Sequence, residues 1–244
     1  VGVISDGVLN LGLSQASGDL QAGVNVNLVG NGDEGTAMLE IVHDLAPGAN
    51  LAFSSANGGA GAMVAAQNWL VNTAGCTIVS DDLWLPREPY FEDGPVASNA
   101  ANLVTLKNIV YFTSAGNRAQ RHVQQNFVDG GTRAIGIAGT FRPHAFAPGD
   151  YTLNLRLRNP NGTGVRHTIV LQWGEKFGAA TQNFDLYLLD GALANVLQSS
   201  TTVQNGAGDA VELIDFTYNG PDNAAAVLVV DFNSGAAAPA NLPL

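Results

Sequence analysis

Up to about residue 117 strand-like and helix-like segments alternate, and beyond about residue 140 only strand-like runs remain, a change that constrains the fold more than any other feature of the chain. The first part reads VGVISD, VNVNLV, TAMLEIVHDL, ANLAFSSA, AGAMVAAQNWLVNTA, CTIVSDDL, PVASNAANLVTLKN and IVYFTSAGN. Short crossovers between such segments make right-handed β-α-β units, so a largely parallel sheet with helices on its faces is expected. The opening run VGVIS suits a central strand, and it breaks at Asp6-Gly7. Catalytic groups of open α/β sheets gather at that strand edge. Asp-Gly is also ordinary turn chemistry. In TAMLEIVHDL, Met38, Ile41, Val42 and Leu45 recur at helical spacing and are expected to face the core, leaving Glu40, His43 and Asp44 on the other side.

The second part carries YTLNLRLRNP, HTIVLQW, FDLYLLD, NVLQSS, AVELIDFTY and AAAVLVVDF, punctuated by NPNGTG, NGAGD and NGPDN. Leu153, Leu155 and Leu157 alternate with Asn154, Arg156 and Arg158, which gives one packed and one wet face. The expectation is an antiparallel β-sandwich or jelly roll. The fold class is therefore α/β with a parallel sheet plus an antiparallel β accessory domain, divided as 1–117, a connection at 118–139, the β-rich domain at 140–237, and a tail at 238–244.

Composition removes several functions. A formal charge of −11 with only two lysines, Lys107 and Lys176, offers no basic patch for phosphates, so nucleic acid is not an expected partner. GNGDEG and GGAGAM lack the Gly-Lys-Ser/Thr ending of a phosphate loop. No run approaches the roughly 18 to 20 apolar residues of a membrane span. Cys76 is the only cysteine, which excludes a disulfide frame and a cysteine-based zinc site. The sequence opens within a strand and ends at APANLPL, so a piece of a longer protein is the expectation, with any targeting signal outside it.

Asp33 and Glu34 stand immediately before Gly35-Thr36 at the start of a helix, where the helix dipole favours acids. Capping alone would explain them. Three motifs together argue for more: VISDGV, DEGTAM followed by APGA, and YFTSAGN, in that order. In these motifs the first half of the chain resembles the subtilisin-like and sedolisin-like serine peptidases. The resemblance implies a subtilisin-like α/β domain over 1–117, with Asp6 as the acid ending the first strand, Glu34 where subtilisin-like enzymes carry histidine, and Asn117 as the oxyanion asparagine. Sedolisin-like enzymes use a Glu at this helix start with an Asp one turn on. Here that residue is Met38, so Asp6 is the candidate partner of Glu34, and the site reads as a hybrid.

A carboxylate base must have its pKa raised toward the working pH, and a neighbouring carboxylate does this. If Asp6 and Glu34 meet, they are expected to share one proton as a coupled pair and to work in acid. The family's nucleophile lies in a Gly-Thr-Ser helix start, and no Gly-Thr-Ser occurs here. After Asn117 the serines are Ser199, Ser200 and Ser234, and none matches.

Asp81 and Asp82 end a further strand, and Asp82 is a candidate for the substrate cleft, with a solvated strand end weighing equally. His43, His122, His144 and His167 show no metal-ligand spacing. FDLYLLD resembles a motif of sandwich domains attached to secreted peptidases, which leaves structural calcium open at Asp185 and Asp190. A solvated strand face is the favoured reading there. Asn161-Gly-Thr163 is a glycosylation sequon and also a good turn. No cofactor is expected. The leading expectation is a secreted, acid-active serine endopeptidase acting on polypeptides, with the nucleophile outside these residues. The alternative is a non-catalytic, peptidase-like binding protein whose β-domain recognises protein or carbohydrate.

Overall fold

The computed structural model describes residues 1–118, 120–135, 137, 139–231 and 241–244. The chain divides into two compact units, one of Val1–Glu88 with Asp93–His122 and one of Pro89–Glu92 with Val123–Leu244.

The first unit is built from β1 (Gly2–Ser5), α1 (Leu11–Ser17), β2 (Asn25–Val26), α2 (Glu34–Leu45), β3 (Ala52–Ser55), α3 (Ala60–Asn72), β4 (Ile78–Asp81), α4 (Pro95–Lys107) and β5 (Val110–Thr113). Its five strands form one sheet in the order β2-β3-β1-β4-β5, and every pairing is parallel. The run VGVIS is the central strand because both faces of it are covered. Val3 packs with Leu39 and Phe53 on the side of α1 and α2, and Ile4 packs with Met63, Leu70, Val79 and Leu103 on the side of α3 and α4. The connection leaving β1 thus passes to one face, while those leaving its neighbours β3 and β4 pass to the other. The carboxyl end of β1 is the point at which the topology reverses, the place where such sheets open a crevice.

The core stripe of α2 differs from the expected one. Ile41 and Leu45 face solvent, at 61% and 84% exposure, while Gly35, Thr36 and Leu39 are buried with Met38 and Val42 packed beside them. Apolar residues at 38, 39, 41, 42 and 45 allow two overlapping stripes. The choice falls to Gly35, where a Cβ would lie 2.4 Å from the Phe53 ring, so the missing side chain lets the first turn seat on β3.

The second unit contains β6 (Arg142–Pro143), β7 (Leu153–Leu157), β8 (Val165–Gln172), β9 (Phe184–Asp190), β10 (Val196–Ser200), β11 (Val211–Tyr218) and β12 (Asn223–Asp231). One antiparallel sheet runs β10-β9-β12-β6 with β7 also paired to β12, and a second pairs β11 with β8. Both sheets contribute to one core of Leu157, Leu171, Trp173, Phe184, Leu186, Leu188, Ile214, Val227 and Val229. The alternating leucines of β7 pack inward as its pattern requires. Phe127, within the span read as a connection, is buried in this core. The other face of β9 and β12 is covered as well, by Ile135, Ile137 and Phe141 against Leu189, Leu228 and Val230. Of the stretch 238–244 only 241–244 is described, and there Leu244 and Leu242 exchange backbone hydrogen bonds with Gln125 and Phe127. No helix among the described residues is long and apolar enough to cross a membrane.

Candidate active site

The first turn of a helix leaves backbone N–H groups without helical partners. In α2 the side chain of the residue before it, Asp33, does not fill them. Its carboxylate instead accepts bonds from the Thr36 hydroxyl (2.7 Å) and from the backbone and side-chain amides of Asn10 (2.8 and 2.7 Å). These bonds, that of Thr36 first, hold the Asp33 carboxyl below its usual range. The loop leaving β1 caps the helix: the Glu34 N–H donates to Asp6 Oδ1 (3.0 Å), and the Gly35 N–H donates to the Gly7 carbonyl (3.0 Å). The acid after β1 is thereby joined to the backbone of the acid opening α2, and the Glu34 side chain is exposed.

Glycines make this approach feasible. A Cβ on Gly32 would fall 1.8 Å from Asp6 Oδ2, and one on Gly30 would fall 2.1 Å from the Asp6 carbonyl oxygen. The Asp6 carbonyl also accepts from Asn57 Nδ2 (2.5 Å) and Ser55 Oγ (3.1 Å), and Asn57 reaches Asn31 Oδ1 (2.6 Å). A groove lined by Leu28, Val29, Gly30, Asn31, Ser55 and Asn57 opens beside these groups. Ser55 and Asn57 escape a reading of the sequence because they act through a backbone carbonyl. The glycine spacing in VGNGDEG was the available signal.

Gly30 has φ +76, so its replacement meets a steric clash and a left-handed backbone together. Gly30→Ala is expected to cost on the order of 2–5 kcal/mol in urea unfolding. Gly12 lies inside α1 with open space around it, and Gly12→Ala is expected to stabilise by about 0.5–1 kcal/mol.

The two acids ending β4 are sorted by strand alternation. Val79 and Asp81 point toward α3 and α4, where Asp81 accepts from Thr113 Oγ1 (2.8 Å) and from the Tyr111 hydroxyl. Burial pushes the Asp81 carboxyl above its usual range, and burial with the Asp81 charge pushes the Tyr111 hydroxyl up. Ser80 and Asp82 fall on the side of α2. There Ser5 Oγ donates to Asp82 Oδ2 (3.1 Å). Asn117 is exposed on the loop after β5, and its neighbour Arg118 stacks on the ring of Trp84, 3.8 Å from the ring centre, which ties this loop to the one that follows Asp82.

Asp6, Glu34 and Asp82 therefore share one strand edge, and Asn117 follows the end of β5 on the same edge. Ser199 and Ser200 lie on β10 in the second unit, where Ser200 Oγ is bound to Glu212. Ser234 is outside the described residues. Among the described residues no group of three or more His, Cys, Asp or Glu is arranged to hold a metal ion. Asp185, read as part of a solvated face, is 5% exposed, while Asp190 accepts from the Ala194 N–H and the Asn195 amide in the turn after β9. Comparison with known proteins finds no matching family model and no matching curated protein.

Proposed function

We propose that the first unit is the acid-base and oxyanion part of a secreted serine-type endopeptidase related to the subtilisin-like and sedolisin-like enzymes. The observation that supports this reading is the bond from the Glu34 backbone N–H to Asp6 Oδ1, which ties the residue bearing an exposed carboxylate to a second acid where the sheet topology reverses. In the proposed reaction Glu34 accepts the proton of a serine hydroxyl as its Oγ bonds to the scissile carbonyl carbon. The carbonyl π electrons move to oxygen, and the Asn117 amide donates to that oxyanion. Glu34 then returns the proton to the amine as the C–N bond breaks. Asp6 fixes the helix start that presents Glu34.

The nucleophile of this scheme comes from outside the 244 residues, since they contain no Gly-Thr-Ser. The sheet face next to Asp82 is consistent with an added apolar segment: Ile78, Val110 and Phe112 lie on the α2 side at 38%, 50% and 57% exposure, and no described helix covers them.

The test is casein cleavage by the full-length gene product from about pH 3 to pH 8. Activity that peaks in acid supports the proposal. A folded product with its downstream segment present and no cleavage at any pH would leave a peptidase-like binding scaffold as the better account.

A further inference from the structure

Three carboxylates stand at this strand edge, and two of them have roles above. The third is placed to do something Asp6 cannot. Asp6 Oδ1 is engaged by the Glu34 backbone, and its Oδ2 is packed against the Cα of Gly32. Its carboxylate is committed to holding the loop and the helix start.

Asp82 lies on the sheet face that carries α2. Its register follows from the pairing of Asp81 with Ile4, which sets Asp82 opposite Ser5. Ser5 is fully buried, so its hydroxyl has no water to turn to and fixes Asp82 Oδ2. Asp82 Oδ1 is shielded from solvent and has no hydrogen-bond partner among the described residues. A buried carboxylate oxygen without a donor is costly, and taking up a proton converts it into a donor that needs an acceptor. Burial raises the Asp82 pKa, the Ser5 bond opposes this, and the charges of Glu34, then Asp6, then Asp81 raise it further. Glu34 is thus the strongest of the charged neighbours.

Building on the peptidase proposal, we propose that Asp82 is the positioning residue for Glu34. Anchored by Ser5, its protonated carboxyl donates an O–H bond to one Glu34 oxygen and turns the other toward the serine. No bond to Asp82 is made or broken beyond that hydrogen bond when Glu34 takes the serine proton. Asp82 would supply from just past β4 the orienting group that Met38 does not supply from α2.

Two measurements test this, and they separate it from the wider reading. In the 244-residue chain, the 13C carboxyl resonance of Asp82 is followed against pH. Its midpoint is expected to fall in Glu34→Gln, to fall less in Asp6→Asn, and to rise in Ser5→Ala. An Asp82 midpoint indifferent to Glu34→Gln overturns the pairing. In the full-length product, Asp82→Asn is expected to lower kcat at least about tenfold with KM retained and to remove the alkaline limb of the pH profile, and Asp82→Glu to restore part of both. An unchanged profile in Asp82→Asn overturns the role. A parent protein that cleaves nothing refutes the peptidase reading, while the resonance still decides whether the two carboxylates are paired.

Discussion

Under the proposed reaction, the Glu34→Gln protein is expected to fold as the parent does and to cleave peptides about 10²- to 10⁴-fold more slowly at the parent's optimum. Both halves of this expectation follow from how α2 begins. The bond that anchors its first turn uses the Glu34 backbone N–H and not its side chain, and the glutamine keeps that N–H. The side chain is exposed, so its replacement opens no cavity. What it gives up is the favourable position of a negative charge at a helix N-terminus, about 0.3–1 kcal/mol. The amide that replaces it cannot accept a proton from serine at any working pH, so general-base assistance is lost outright. The measurement is kcat/KM on a fluorogenic peptide together with a urea unfolding curve. Unfolding within about 1 kcal/mol of the parent and a rate reduced at least a hundredfold is the expected result. A rate within threefold of the parent removes Glu34 from the reaction.

The order of elements around this site was legible because each strand of the first unit is a short apolar run with a turn or helix signal after it. The central place of VGVIS followed from its being apolar on both faces, and the structure has β1 between β3 and β4. The side of α2 that packs was not legible, since five apolar residues within eight positions fit two stripes and only the approach of Gly35 to Phe53 decides between them. α1 carries a similarly weak signal: Leu11 and Leu13 open a seven-residue helix with Gly12 between them, and only Leu11 packs.

At the site, the chemistry-bearing residues were visible while their division of work was not. Asp81 and Asp82 are adjacent letters that strand alternation sends to opposite faces of the sheet, one to Thr113 and Tyr111 and the other to Ser5. The motif at Asp6 points to a partner in proton transfer. Its bond to a backbone N–H and the closeness of Gly32 are three-dimensional facts that no spacing carries. In the second unit the same limit appears at β9. Asp185 alternates with Phe184 and Leu186 as a wet residue would, yet it is buried, on a sheet face that Ile135, Ile137 and Phe141 also cover.

That burial leads to an expected pH dependence in the second unit. Burial first, and then the charge of Glu212, push the Asp185 carboxyl up to about 6, against the bond it accepts from the Tyr187 hydroxyl (3.0 Å). An unfolded Asp titrates near 4, so between about pH 4 and pH 6 the folded unit holds a proton that the unfolded chain has lost. Asp185 therefore favours the fold in acid. Its contribution declines by about 3 kcal/mol as pH rises through 6, two pKa units at about 1.4 kcal/mol each. Glu212, also raised by burial, works in the same direction.

His144 opposes them. It is fully buried against Phe127 and Phe146, accepts the Val128 N–H at Nδ1 (2.9 Å), and burial lowers its pKa to about 4. Below about pH 6.5 the unfolded histidine takes a proton that the folded one refuses, so His144 withdraws about 3 kcal/mol as pH falls to 4. The two slopes largely offset, and the parent's stability is expected to change little between pH 4 and pH 6.5 on their account. Asp185→Asn leaves only Glu212 against His144 and should lose about 3 kcal/mol on acidification from pH 7 to pH 4 relative to the parent's own change. His144→Phe leaves the acids uncompensated and should gain a similar amount over the same interval. Hydrogen exchange of the β9 and β12 amides reports the second unit by itself, and the difference between pH 4 and pH 7 is the quantity to compare, because the fixed cost of each substitution cancels from it. Parallel pH dependences in the parent and both variants would mean that neither group carries the pH dependence of this unit.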